Sequence, residues 1–277
     1  MSEFTEKIAL ITGAARGQGR AHALALAERG ATVIALDSCT DAETIPYPLA
    51  RGEDLKDTQR LVEATGSRCL TFEVDTRDSE SLKSVVAQCL DDFGRLDICI
   101  ANAGVVSFGK VWELTDRQWA TMIDINLTGT FNTLRAVAPP MIEQASGRII
   151  TVASAAGRGG ASNLGHYSAS KWGVIGLTKT LALETAGTGV TANTVCPGTV
   201  STDMVHNEAM YSLFAPDLTN PTRDQVQSRY ASLNPMRVPW SETSDITAAV
   251  LYLASEQARH VSGITLEINA GVSARNP

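Results

Sequence analysis

Short apolar, β-branched runs alternate with longer segments of helical periodicity along most of the chain. Apolar runs of strand length fall near 7–12, 31–36, 69–74, 96–101, 147–153, 189–195 and 264–268. Between them, apolar residues recur at three- and four-residue spacings near 17–29, 53–65, 79–93, 115–143, 165–186 and 243–255, which predicts helices. Strand alternating with helix predicts an α/β fold: a doubly wound, mostly parallel sheet of seven strands with helices on both faces. No internal repeat or low-complexity tract interrupts the pattern, so residues 1–277 read as a single domain. Pro139-Pro140 is expected to bend or shorten the helix over 115–143.

Two stretches break the rhythm. The first, near 38–52, is longer than the usual connection and carries Pro46 and Pro48. The second, near 199–240, carries Pro216, Pro221, Pro235 and Pro239. Its Met204, Met210, Leu213, Phe214, Met236 and Trp240 are too many apolar side chains for a solvated loop. It reads either as a subunit contact or as a lid over an apolar substrate. Its place after the carboxyl end of a strand, where open sheets bind ligands, favours the lid.

Composition narrows the class. At 277 residues and 44% hydrophobic content the chain buries a substantial core. A net charge of −7 argues against nucleic acid or an anionic membrane as partner. No apolar stretch approaches the roughly 18 residues that span a bilayer. The segment Met1-Ser2-Glu3-Phe4-Thr5-Glu6-Lys7 has neither the basic region nor the apolar core of a signal peptide, so the expected location is cytoplasmic. Five cysteines without paired spacing (Cys39, Cys69, Cys89, Cys99 and Cys196) read as reduced thiols, mostly core residues. No Cys/His cluster has the spacing of a metal site.

The candidate chemistry begins with Gly13-Ala14-Ala15-Arg16-Gly17-Gln18-Gly19, which follows the run Ile8-Ala9-Leu10-Ile11 and opens a helix. Glycine lets a phosphate approach the backbone, and the unpaired N–H groups of a new helix favour the anion. Asp37 closes the next strand, where a carboxylate accepts bonds from a dinucleotide's ribose and repels a 2′-phosphate. The cofactor is therefore expected to be NAD. Arg16 leaves two readings: it faces solvent, or it contacts a 2′-phosphate. Further on, Tyr167 and Lys171 stand four apart on a predicted helix, one turn from each other on one face. Ser154 follows the strand Ile149-Ile150-Thr151-Val152. A tyrosine titrates near pH 10, and a neighbouring ammonium is expected to lower that value and suit the phenol to proton transfer with an alcohol. Ser154 would hold the substrate oxygen by a hydrogen bond. His166, beside Tyr167, reads as positional rather than catalytic.

In order along the chain stand Thr12 to Gly19, Asn102-Ala103-Gly104, Asn126, Ser154, Tyr167-Ser168-Ala169-Ser170-Lys171 and Pro197-Gly198. The set resembles the classical short-chain dehydrogenase/reductases, a Rossmann-fold family, over nearly the whole chain. The resemblance implies a catalytic tetrad of Asn126, Ser154, Tyr167 and Lys171, with the asparagine holding a water that relays protons from the lysine. It also implies cofactor contacts from Gly13, Arg16, Gly17, Gln18, Gly19, Asp37, Asp75, Thr76, Asn102, Ala103, Gly104, Tyr167, Lys171, Pro197, Gly198, Val200 and Thr202. Asp75 is similar to the residue that binds adenine. Dimers or tetramers are usual in that family. They pair through the two helices that here carry Asn126 and Tyr167, and often through the terminal strand region near Ile268-Asn269-Ala270-Gly271; a homotetramer is expected.

A finer resemblance rests on Gln18, where the family usually has isoleucine or leucine, on Tyr47-Pro48-Leu49-Ala50 with Glu53-Asp54-Leu55, and on Val238-Pro239-Trp240. These are similar to the carveol-dehydrogenase-like subgroup associated with mycofactocin. That resemblance implies a small apolar alcohol or ketone, terpenoid- or steroid-like, as substrate. It also implies NAD held beneath the insertion and recycled in place by the mycofactocin redox carrier. Three alternatives stay open: an ordinary dehydrogenase with freely exchanging NAD(H), a non-catalytic NAD-responsive binding protein, and an extended-type nucleotide-sugar enzyme. The last is disfavoured because the chain stops soon after the seventh strand.

Overall fold

A computed structural model describes residues 3–275, so Met1, Ser2, Asn276 and Pro277 of the expected 1–277 domain lie outside the described residues. Seven strands are present: β1 (Ile8–Thr12), β2 (Thr32–Asp37), β3 (Cys69–Glu73), β4 (Ile98–Ala101), β5 (Gly147–Val152), β6 (Val190–Pro197) and β7 (Thr265–Ile268). All pair in parallel, in the order β3-β2-β1-β4-β5-β6-β7.

The helices are α1 (Gly17–Ala27), α2 (Gly52–Glu63), α3 (Ser79–Phe93), α4 (Asp116–Ile123), α5 (Gly129–Glu143), α6 (Gly165–Glu184), α7 (Glu208–Phe214), α8 (Arg223–Leu233) and α9 (Thr243–Ala254). Because successive strand side chains point to opposite faces, the apolar runs feed two cores. Ala9, Ile11, Val33, Ala35, Ile98 and Ile100 pack with α1, α2 and α9. Ile8, Leu10, Ile34, Leu36, Cys99 and Ile149 pack with α3, α5 and α6. Strand order reverses between β1 and β4, and the crevice beyond their carboxyl ends is where such sheets bind ligands. Four of the five free thiols are buried; Cys39, in the 38–52 insertion, is half-buried.

The helix expected over 115–143 forms with one irregularity. A π-helical segment, Asp124–Thr128, joins α4 to α5 and carries Asn126. Pro139-Pro140 does not shorten it: α5 runs through both to Glu143. Arg135, whose carbonyl loses the bond that Pro139 cannot donate, lies on the exposed side of the helix. The 199–240 stretch contains α7 and α8, two helices that its prolines hide from sequence periodicity.

The insertion and the 199–240 stretch meet in a third apolar cluster, apart from the sheet cores. Ile45 and Tyr47 of the insertion pack with Val205, Met210, Tyr211, Val226 and Tyr230, and with Val105, Val106 and Met122 beyond β4. Tyr167, Met204, Leu49 and Trp240 lie against it. The two interruptions therefore form one cap.

Candidate active site

The glycine turn is built by close packing. Gly13 and Gly17 adopt φ of +67° and +56°, a region that favours glycine. A Cβ on Gly19 would lie 2.0 Å from the Gly13 carbonyl oxygen, so Gly19 lets α1 seat on the turn. Asn102 joins the ends of β1 and β4. Its Nδ2 donates to the carbonyls of Thr12 at 3.0 Å and Gly13 at 3.1 Å, while the Thr12 hydroxyl accepts from the N–H groups of Asn102 and Ala103. From the other side, Thr58 of α2 donates to the Ala14 and Ala15 carbonyls, and Arg20 donates to Thr58 Oγ1 at 2.9 Å. Sequence reasoning missed Thr58 altogether; a contact across 44 residues leaves no local pattern.

A cleft of about 1190 Å³, its open mouth included, runs from this turn to Tyr167 and Lys171. Its walls include Gly13, Arg16, Gly17, Gln18, Asp37, Asp75, Thr76, Asn102, Ala103, Gly104, Tyr167, Lys171 and Thr202. The other expected site residues stand behind the wall. Gly19 is under the turn, Gly198 backs onto Asn269, and Val200 bridges to Ser241. Pro197 ends β6 and pairs with Ile268. Asn126 is fully buried: its Oδ1 accepts from Val105 N at 2.8 Å and its Nδ2 donates to Val105 O at 2.9 Å. A Cβ on Gly104 would stand 3.2 Å from Lys171 Nζ and 3.3 Å from Asn126 Oδ1, so glycine keeps a gap between the two.

Asp37 sits at the rim of the glycine turn. Its carboxylate accepts from Ala15 N at 3.0 Å and Cys39 N at 3.3 Å. Burial raises its pKa, and the backbone N–H groups and Arg16 only partly offset that rise. Asp75 takes two Nε contacts from Arg77, at 2.9 and 3.0 Å. Burial would raise its pKa, but Arg77 holds it below the ordinary value.

Arg16 lines the cleft but is not turned freely to solvent. Its side chain is three-quarters covered, and its guanidinium donates to the Pro48 carbonyl at 2.7 Å and to Asp203 at 3.2 Å. It ties the insertion to the 199–240 stretch.

Tyr167 and Lys171 share a face of α6, with the Lys171 ammonium 5.7 Å from the Tyr167 ring centre. Lys171 Nζ donates to the Val152 carbonyl at 2.9 Å. Ser154 ends the extended backbone after β5. The expected lowering of the phenol's pKa by Lys171 is not met in the chain alone. Burial raises it, the Ser154 hydroxyl opposes that rise less strongly, and no Lys171 contribution counters it. The same burial pushes the Lys171 amine down to about 8, which weakens it as a charge. His166 is buried and bonded through Nε2 to Ser107 at 2.8 Å, which fits the positional reading.

Tyr47 from the insertion also lines this end. It is 7% exposed, and its hydroxyl accepts from Val106 N at 3.1 Å. Among the described residues no group of three or more His, Cys, Asp or Glu is placed to hold a metal. No described helix is long and apolar enough to cross a membrane. The cleft suits an elongated group with a diphosphate: Gly13 and Gly17 expose backbone at one point, Asp37 presents a carboxylate beside them, and the far end holds a phenol and an amine.

Residues 7–211 match the short chain dehydrogenase family. The chain is 42% identical to (-)-trans-carveol dehydrogenase of Rhodococcus erythropolis, over 99% of each chain. A crystal structure of carveol dehydrogenase from Mycobacterium avium in complex with NAD superposes with a TM-score of 0.97 at 42% identity, covering 99% of this chain and 100% of that one. A short chain dehydrogenase from Mycobacterium paratuberculosis bound to NAD gives 0.90 at 36% identity, over 98% and 99%.

Proposed function

The chain belongs to the short-chain dehydrogenase family, an NAD-dependent oxidoreductase, and from that premise we propose that it interconverts a secondary alcohol and its ketone at Tyr167. The observation that carries this reading is the single cleft that joins Gly13, Gly17 and Asp37 to Tyr167 and Lys171. NAD, when bound, supplies a hydride acceptor whose reduced form can return the hydride to a carbonyl. Gly13, Gly17 and Gln18 would hold the diphosphate and Asp37 the ribose hydroxyls, with Lys171 at the second ribose.

Tyr167 takes the hydroxyl proton in oxidation and returns it to the nascent alkoxide in reduction. Ser154 fixes the substrate oxygen. Burial alone makes the phenol a poor acid, so positive charge close by must offset it; the oxidised nicotinamide of bound NAD would supply that charge, because burial weakens Lys171 as a cation. Asn126 fixes the Val105 backbone. The gap at Gly104, between Lys171 Nζ and Asn126 Oδ1, suits a relay water.

The apolar cap, with Tyr47, Val105, Ile125 and Met204 on the cleft wall, supports a small apolar substrate of the terpenoid or steroid kind. The same cap supports retention of NAD between turnovers, and recycling in place by the mycofactocin carrier rests on the subgroup resemblance alone. Exposed Phe131 on α5 and Trp172 on α6 support a homo-oligomer, a tetramer by family habit, assembled through these helices.

Tyr167→Phe is expected to lower turnover at least ~1000-fold, a loss on the scale of general acid–base catalysis, with nucleotide binding intact. Turnover assays beside mass identification of the nucleotide released on denaturation check both halves. Retained turnover removes Tyr167 from the mechanism. Wild-type protein that binds NAD yet oxidises no alcohol and reduces no ketone supports the non-catalytic alternative. Protein that emerges empty but turns over with added NAD supports the freely exchanging one.

A further inference from the structure

The insertion and the 199–240 stretch are joined to the glycine turn by one side chain. Arg16 leaves the turn between Ala15 and Gly17 and ends on Pro48 O at 2.7 Å and Asp203 at 3.2 Å. Pro48 follows Tyr47, the buried residue that walls the cleft, and Asp203 precedes Met204, on the same wall. Nearby packing agrees: a Cβ on Gly17 would lie 3.3 Å from Thr202 Cγ2, so the turn and the lid stand within one methyl group of each other. The insertion also braces itself, with Asp41 accepting from Leu49 N at 2.8 Å and paired with Arg51. Inward packing comes from the apolar cluster, but the outer seam between the two cap segments is polar at this point.

We propose that Arg16 is a clasp that holds the insertion and the lid together across the dinucleotide cleft, and so sets how fast the cofactor leaves. Arg16 acts through Pro48 and Asp203 and is a positioning residue, not a catalytic one. The inference rests on the reading that this cleft holds NAD. A planar guanidinium suits the task because it serves two acceptors in divergent directions; an ammonium on a similar stem is a single point charge. The bond to the Pro48 carbonyl is the stronger arm. The arm to Asp203, which is 68% exposed, is weak and screened by salt.

The experiment compares wild type with Arg16→Gln, Asp203→Asn and the double variant. Exchange of bound NAD for isotopically labelled NAD is followed by mass, and amide hydrogen exchange over 41–50 is followed in nucleotide-free protein. Arg16→Gln is expected to speed NAD exchange by about tenfold or more, the size of a lost charged hydrogen bond. Asp203→Asn is expected to speed it by about threefold, as for a surface ion pair. The double variant should match Arg16→Gln alone, because both remove the same contact. Raised salt should speed release from wild type but not from Arg16→Gln. Amide exchange over 41–50 should rise in Arg16→Gln without any nucleotide present.

Wild-type NAD exchange or cap protection in Arg16→Gln overturns the clasp. A fast NAD exchange in Arg16→Gln with amide exchange over 41–50 unchanged would instead make Arg16 a direct ligand. Wild-type protein that binds no NAD refutes the cofactor reading instead, and the nucleotide-free amide exchange still decides the clasp.

Discussion

Lys171 is held by a carbonyl, Val152 O, and burial pushes its amine down to about 8. Because the folded pKa lies below the unfolded 10.5, the fold bears a penalty at and below about pH 8. That penalty disappears as pH rises from about 8 to 10.5, where the unfolded chain still binds the proton and the native chain does not. A shift of that size is on the order of 3 kcal/mol. Buried thiols pushed to about 11 or 12 act oppositely over part of this range, so the comparison must be made against a variant. Denaturant unfolding at pH 7.5 and 9.5 should show wild type gaining stability relative to Lys171→Met; parallel pH dependences would place the amine's pKa elsewhere. At this scale the sequence spoke clearly where chemistry has a fixed spacing. Tyr167 and Lys171 are one helical turn apart in any α-helix, and Asp37 ends its strand. It gave Arg16 a solvent or a cofactor reading but could not show its partners, which lie 32 and 187 residues away, and it marked Tyr47 only through a resemblance that placed NAD beneath the insertion.

The elements reward the same distinction. Every strand and six helical segments follow from hydrophobic period, because each must bury one face against the sheet. Helices α7 and α8 do not, since they pack on the cap and sit among prolines that read as loop. The π-helical segment is also silent in the pattern. Its i→i+5 winding carries the buried Asn126, whose two bonds to Val105 fix the backbone beyond β4. The junction of β1 with α1 is the most tightly specified. Gly19→Ala would place a methyl 2.0 Å from the Gly13 carbonyl, which α1 can relieve only by moving off the turn. The expected result is a loss of about 1–3 kcal/mol in chemical unfolding, the usual scale of overpacking, together with weakened NAD binding in calorimetry. A variant with wild-type affinity would show that the turn yields more easily than its packing implies.

Taken whole, the molecule has two sheet-facing cores that are continuous with the strands and a third apolar body that is not. The outer face of α5 and α6 is a different matter, carrying Phe131 at 41% and Trp172 at 49% exposure. Phe131→Glu with Trp172→Glu should reduce a tetramer to dimers held by the terminal strand region in sedimentation velocity at micromolar concentration. An assembly unchanged by both charges would move the interface to another face. The distribution of sulfur has a use of its own. Cys99 and Cys196 sit at zero exposure in the middle strands, whereas Cys39 is half-buried in the insertion. An alkylating reagent therefore meets two separate clocks within one polypeptide. Modification at Cys39 counts the breathing of the roof, and modification in the central strands counts only the rare melting of the whole, so the two free energies can be read from a single labelling time course.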